Sequence, residues 1–165
     1  IYARNSSNFQ ITGNEIYGNT RSGIDIRSGS NNFVINGNHI HDNGYEGVIC
    51  TECTGRVLIE SNSIEHNAET GIKLFSHTNS TNVSGNDLSY NEKFGIYLRN
   101  NSTGNTVGNN TVTGSEEGIM LTGSSIDNTI TGNILAGNDV AIESDETSQS
   151  NVFGNNRIMN ATQPS

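Results

Sequence analysis

Tryptophan is absent from this 165-residue chain, proline occurs once and cysteine twice. A single proline argues against a linker or a low-complexity tail. Two cysteines, Cys50 and Cys53, are too few to define a disulfide framework or a redox compartment. Basic residues are scarce: eight Lys and Arg stand against seventeen Asp and Glu, for a net charge of −9. That balance argues against nucleic acid as a partner, because phosphate binding needs clustered cations. An anionic polysaccharide stays open, since a local basic stripe acts even within an acidic whole. No run of about 20 apolar residues occurs, so no helical membrane span is expected, and no leader segment is visible. Only 31% of the residues are hydrophobic, a level that points to disorder when apolar positions are scattered. Here they are periodic.

Asn14, Asn38, Asn62, Asn86, Asn110, Asn133 and Asn156 recur at steps of 24, 24, 24, 24, 23 and 23. Gly23, Gly47, Gly71, Gly95, Gly118 and Ala141 keep the same rhythm, as do Asn19, Asn43, Asn67, Asn91 and Asn138, with Ser115 in the one gap. Each unit reads as three short strands. The first carries Ile11, Ile35, Ile59, Val83, Val107, Ile130 or Phe153. The second carries Ile16, Ile40, Ile64, Leu88, Val112, Leu135 or Ile158. The third has the form Gly-Ile-x-Leu, as in Ile72 and Leu74 or Ile96 and Leu98. One such unit cannot bury its apolar side chains alone, but stacked units bury a continuous column. The expected fold is therefore all-β: a right-handed parallel β-helix of about seven coils, 23–24 residues each, with three short strands per coil. It forms a single domain over residues 1–165. Glycine and asparagine accept the left-handed backbone of sharp corners, and inward asparagines can stack as amide ladders. A leucine-rich repeat shares the period but needs several leucines and a helical segment per unit. The chain opens mid-pattern at Ile1 without an initiator methionine, so it is expected to be a piece of a longer protein.

Alternation on the Gly-Ile-x-Leu strand turns Asp25, Ile49, Lys73, Tyr97, Met120 and Glu143 outward, with Arg27, Thr51, Phe75, Arg99, Thr122 and Asp145 two places on. This stripe along the axis mixes cations, aromatics and carboxylates. Aromatic faces suit sugar rings, and guanidinium forks suit carboxylates. Lys73, Phe75, Arg99 and Thr51 are the expected substrate-binding residues. His39, His41, His66 and His77 read as surface histidines, and no Cys/His spacing makes a metal site. Cys50 reads as a small core residue and Cys53 as a corner residue; a bond between them would be geometrically tight. Asp42-Asn43-Gly44 is a turn signal. No cofactor is expected, and calcium finds no supporting motif.

The coils as a whole resemble the carbohydrate-acting β-helix superfamily, including NosD-type repeats. Ser22-Gly-Ile-Asp-Ile-Arg-Ser-Gly-Ser-Asn-Asn-Phe-Val-Ile, then His41-Asp-Asn-Gly-Tyr-Glu-Gly-Val-Ile-Cys, Cys53 and Val57-Leu-Ile-Glu, resemble the mannuronan C5-epimerases of the AlgG type. The resemblance covers roughly residues 22–77. It places Asp25 on that family's catalytic Asp, Ile26 on its Pro and Arg27 on its His base. Arginine cannot act as a base at ordinary pH, so the motif is degenerate. Removing a C5 proton beside a carboxylate needs a base, a cation and an acid on the opposite face. Arg27, Lys73 and Arg99 offer cations, and Tyr97 offers a phenol that could act as base or acid. Asp25 could hold Arg27 or a substrate hydroxyl, while His77 and His41 are distant fallback bases. The resemblance implies Asp25 and Arg27 as catalytic candidates, to which the outward stripe adds Tyr97, and with them an epimerase- or lyase-like reaction and an extracellular, cell-surface or periplasmic location. The alternative is a non-catalytic structural or surface β-helix that contacts glycans or partners. Uncapped terminal coils predict end-to-end self-association or a flanking domain.

Overall fold

The computed structural model describes residues 1–159. The chain winds through seven coils. The first holds β1 (Tyr2–Arg4), β2 (Gln10–Thr12) and β3 (Glu15–Tyr17); the second β4 (Ile24–Arg27), β5 (Asn31–Asn36) and β6 (His39–His41); the third β7 (Val48–Thr51), β8 (Thr54–Glu60) and β9 (Ser63–Glu65). The fourth holds β10 (Thr70–Phe75), β11 (Thr81–Ser84) and β12 (Asp87–Ser89); the fifth β13 (Phe94–Arg99), β14 (Thr106–Gly108) and β15 (Thr111–Thr113). The sixth holds β16 (Glu117–Thr122), β17 (Thr129–Thr131) and β18 (Ile134–Ala136); the seventh β19 (Val140–Ser144), β20 (Val152–Gly154) and β21 (Arg157–Met159). Equivalent strands stack in parallel into three seven-stranded sheets: A begins at β1, B at β2 and C at β3. The coil is a right-handed solenoid with no helix among the described residues. Accordingly, no helix is long and apolar enough to cross a membrane.

The sequence period is the strand register. Ile24 pairs with Val48, Val48 with Ile72, Ile72 with Ile96 and Ile96 with Ile119. All five side chains are fully buried, as are the inward residues of sheets B and C through the middle coils. The core is thus a column of Ile, Val and Leu, each touching its equivalent one coil above and below.

Both expected asparagine ladders are present. Asn38 Nδ2 donates to Asn62 Oδ1, Asn62 to Asn86 and Asn86 to Asn110, each at 2.9 Å. Each of these amides also donates to a backbone carbonyl on the preceding coil, such as Ile59 for Asn86. The second ladder runs from Asn19 to Asn91 and is interrupted at Ser115, whose buried hydroxyl has no hydrogen-bond partner. A third ladder, Asn105–Asn128–Asn151, begins halfway along. The column that leads into it is apolar at Phe33 and Val57 and turns polar at Thr81, whose backbone N–H donates to Asn105 Oδ1. A fourth column is hydroxylic: Ser30, Thr78, Ser102 and Ser125 each return a hydrogen bond to the carbonyl three residues earlier.

Two sequence-based expectations change. The repeating glycines Gly23, Gly47, Gly71, Gly95 and Gly118 do not adopt left-handed angles; those fall at other corner positions such as Gly13, Gly37 and Asn109. They are small because the next coil is close: a Cβ on Gly71 would lie 2.7 Å from the Gly95 carbonyl oxygen and 2.7 Å from a Leu88 methyl. Cys53 is more than a corner residue. It is fully buried and stands in the hydroxyl column, with Sγ 3.7 Å from the Ile26 carbonyl. Both thiols are free. The hydrogen bond with Cys53, together with burial, pushes the Cys50 thiol well above its ordinary value.

Candidate functional site

The outward face of sheet A has the predicted composition. Strand pairing aligns Tyr2, Asp25, Ile49, Lys73, Tyr97, Met120 and Glu143 in one column. Arg4, Arg27, Thr51, Phe75, Arg99 and Thr122 form the other. Arg4 had no Gly-Ile-x-Leu pattern around it and only its register with Arg27 reveals it. With Arg4, four of the chain's eight Lys and Arg lie in these two columns.

Two of those cations are already engaged. Arg27 grips Asp25 with two bonds, Nε to Oδ1 at 2.7 Å and Nη2 to Oδ2 at 2.9 Å. Hydrogen bonding to Asp25 outweighs partial desolvation and holds the guanidinium above its ordinary pKa, which takes it further from any role as a base. Lys73 Nζ meets Glu46 at 2.9 Å, and the other Glu46 oxygen accepts from Ser22 at 2.7 Å. Burial raises the Glu46 carboxyl, but Lys73 and Ser22 prevail and leave it below its ordinary value. Glu46 precedes a column glycine. Ser22, Thr70, Phe94 and Glu117 occupy equivalent positions, a regularity that could have exposed this column from sequence. Among the described residues no ion pair holds Arg4 or Arg99, and both are exposed.

The aromatic members lie deeper than alternation implies. Tyr97 is only 8% exposed. Its ring stacks on Phe94 with centroids 4.4 Å apart, its hydroxyl lies 2.9 Å from Thr122 Oγ1, and the Arg99 guanidinium sits 5.9 Å from its centroid. Lys73 Nζ is similarly 5.7 Å from the Phe75 ring. Ile49 is 8% exposed, flanked by Asp25 and Lys73. Next to Phe94, Glu117 has one buried carboxylate oxygen without a partner. Burial and the nearby Glu143 and Glu116 raise its carboxyl above the ordinary value.

The three catalytic candidates do not share one centre. Asp25 and Tyr97 are three strands apart, roughly 14 Å at about 4.8 Å per strand. Lys73, Phe75, Tyr97 and Arg99 do form one group on the adjacent strands β10 and β13. Thr51 is the direct neighbour of both Arg27 and Phe75. Asp25 and Arg27 instead line an open concavity of about 470 Å³ with Tyr2, Arg21 and Ser22. His41 is on the outer face of sheet C, away from this surface, while His77 is at a corner with its Nε2 3.5 Å from the Asn101 amide.

Three parallel sheets around laddered asparagines, with a cationic and aromatic stripe along one outer face, define a parallel β-helix with an exposed linear surface. Residues 1–135 match the family model for the right handed beta helix region, and the chain belongs to that family. Among solved structures it is similar to the periplasmic alginate epimerase AlgG, at 19% identity and a TM-score of 0.79 over 95% of this chain and 42% of that one. It is also similar to the mannuronan C-5 epimerase AlgE4 A-module of Azotobacter vinelandii, at 16% identity and 0.77 over 99% of this chain and 55% of that one. A DFA-IIIase of Arthrobacter chlorophenolicus A6 gives 17% identity and 0.63 over 84% and 31%. At these identities the likeness is one of fold, and the chain spans about half or less of each structure's length. No curated protein sequence matches it.

Proposed function

We propose that the outer face of sheet A binds an anionic, uronate-bearing polysaccharide laid along the solenoid axis, on a mannuronan C5-epimerase-like scaffold. The observation that carries this reading is the concentration of half the chain's cations in two adjacent outward columns of a protein with net charge −9. Arg4 and Arg99 offer open guanidinium forks for carboxylates, and Phe75 and Tyr97 offer ring surface. By name the neighbours are a periplasmic alginate epimerase and a mannuronan C-5 epimerase, which supports that substrate class and an extracellular or periplasmic location.

A second reading, binding without turnover, is favoured by the Asp25–Arg27 pair. The position where the resemblance implies a base holds a cation paired with Asp25 instead.

The test is oligomannuronate in D₂O, with the C5 proton and saturation transfer followed by NMR for the wild type, Arg99→Ala and Arg27→His. Contact that weakens at least fivefold in Arg99→Ala supports the binding face. Exchange in the wild type adds catalysis, with Tyr97 or Glu117 as the available base. Exchange only in Arg27→His supports binding without turnover on an epimerase scaffold. Absence of both contact and exchange overturns the proposal.

A further inference from the structure

On a different face, sheet C brings together residues that lie 24 apart in sequence. Glu15 is on β3, and His39 and His41 flank the inward Ile40 on β6. One ligand atom from each of the three lies within 4.8 Å of the others. The geometry around His41 is specific. Its Nδ1 lies 2.7 Å from the Asp42 carboxylate, which can only accept, so Nδ1 carries the hydrogen. In the neutral ring Nε2 is then the lone-pair atom. It is buried, has no hydrogen-bond partner and faces Glu15 Oε1 at 3.6 Å. A proton on Nε2, making the ring an imidazolium between two carboxylates, or a metal ion in its place satisfies this pair.

The surrounding groups hold the rings in place. Tyr17 stacks on His41 with ring planes 3° apart, and the His39 and His41 centroids are 4.2 Å apart. Glu65, on β9, meets His39 Nε2 at 2.7 Å, much as Asp42 supports His41. A carboxylate behind a ligating imidazole fixes its tautomer and raises its basicity. Tetrahedral zinc with bonds of about 2.0–2.1 Å sets its ligand atoms roughly 3.3 Å apart. The ligand atoms, within 4.8 Å of one another, close to that spacing by rotation of the exposed Glu15 side chain and of the partly exposed His39 ring.

We propose that Glu15, His39 and His41 form a site for a divalent transition metal of the zinc type. Two imidazoles and one carboxylate supply three ligands, and water takes the fourth position. The ion would clamp the first coil to the second from outside. It is independent of the sugar-binding reading, because the two faces share no residue.

The test is calorimetric titration of the untagged full chain with zinc chloride alone, followed by X-ray absorption at the zinc edge. One equivalent is expected, with two imidazole nitrogens at about 2.0–2.1 Å and a rise in melting temperature. His41→Ala and His39→Ala should abolish this binding. Asp42→Ala should weaken it about 10–100-fold, while His66→Ala and His77→Ala leave it unchanged. Glu15→Ala alters only an exposed side chain, so its expected loss of at least tenfold in affinity is free of folding effects. Absence of stoichiometric binding, binding that persists in both His39→Ala and His41→Ala, or a shell with fewer than two imidazoles would overturn the site.

Discussion

The amide ladder gives a position-dependent prediction. Asn86 is 1% exposed and its side chain makes four hydrogen bonds. It donates to the Ile59 carbonyl and to Asn110 Oδ1, and its oxygen accepts from the backbone and side-chain nitrogens of Asn62. Asn86→Ala leaves the buried Asn62 N–H without an acceptor and removes the amide donor from the Ile59 carbonyl. At about 1–3 kcal/mol for each orphaned group, the cost is about 2–6 kcal/mol. Asn14 heads the same ladder but is exposed, and its oxygen serves no earlier coil. Asn14→Ala orphans no buried N–H, because Asn38 donates onward to Asn62, and should cost about 0.5 kcal/mol or less. With a urea slope of about 2 kcal/mol/M, the unfolding midpoint falls by about 1–3 M for Asn86→Ala and by about 0.25 M or less for Asn14→Ala. Asn86→Asp keeps the accepting oxygens but sets a carboxylate against two other oxygens. Burial favours its protonated form, so its deficit should shrink as pH falls. Equal midpoints for Asn86→Ala and Asn14→Ala would refute the view that the ladder works through buried donors.

Gly95→Ala would set a Cβ 2.2 Å from a Val112 methyl and 2.6 Å from the Gly118 carbonyl oxygen. It should lower stability by about 1–3 kcal/mol or more; Gly13→Ala, which meets nothing within 4 Å, should cost only the left-handed backbone, about 1 kcal/mol, and thermal unfolding compares the two. Lys73→Met leaves the buried Glu46 carboxylate unpaired and should cost about 3–5 kcal/mol, much of it recovered in the Lys73→Met/Glu46→Gln double variant. The Glu46 carboxyl sits below its ordinary value, so its contribution is present above the unfolded-state pKa and is lost as pH falls through the folded-state pKa. Acid titration of stability should therefore be shallower in Glu46→Gln. Cys50 and Cys53, fully buried, should resist a thiol reagent at pH 8 in the native state and react with two equivalents in urea; reaction of the native protein at the unfolded rate would contradict the core placement.

The repeat carried the fold into the sequence because each coil must sit on the next. One period sets strand register, core column and ladder together, so Asn14 to Asn156 and Ile24 to Ile119 could be read without coordinates. The outward alternation of Asp25, Lys73, Tyr97 and Arg99 was equally legible, since a strand has only two faces. Tertiary structure decided what those residues touch. Asp25 closes on Arg27, Lys73 turns to a glutamate 27 positions away, and Tyr97 sinks beneath Arg99 and Phe94. It also decided that the column glycines serve close coil contact, and that Glu15 meets His39 and His41 across two coils. Periodicity states which residues share a column. Side-chain reach, desolvation and charge pairing between columns arise only when the coils are wound to their actual spacing.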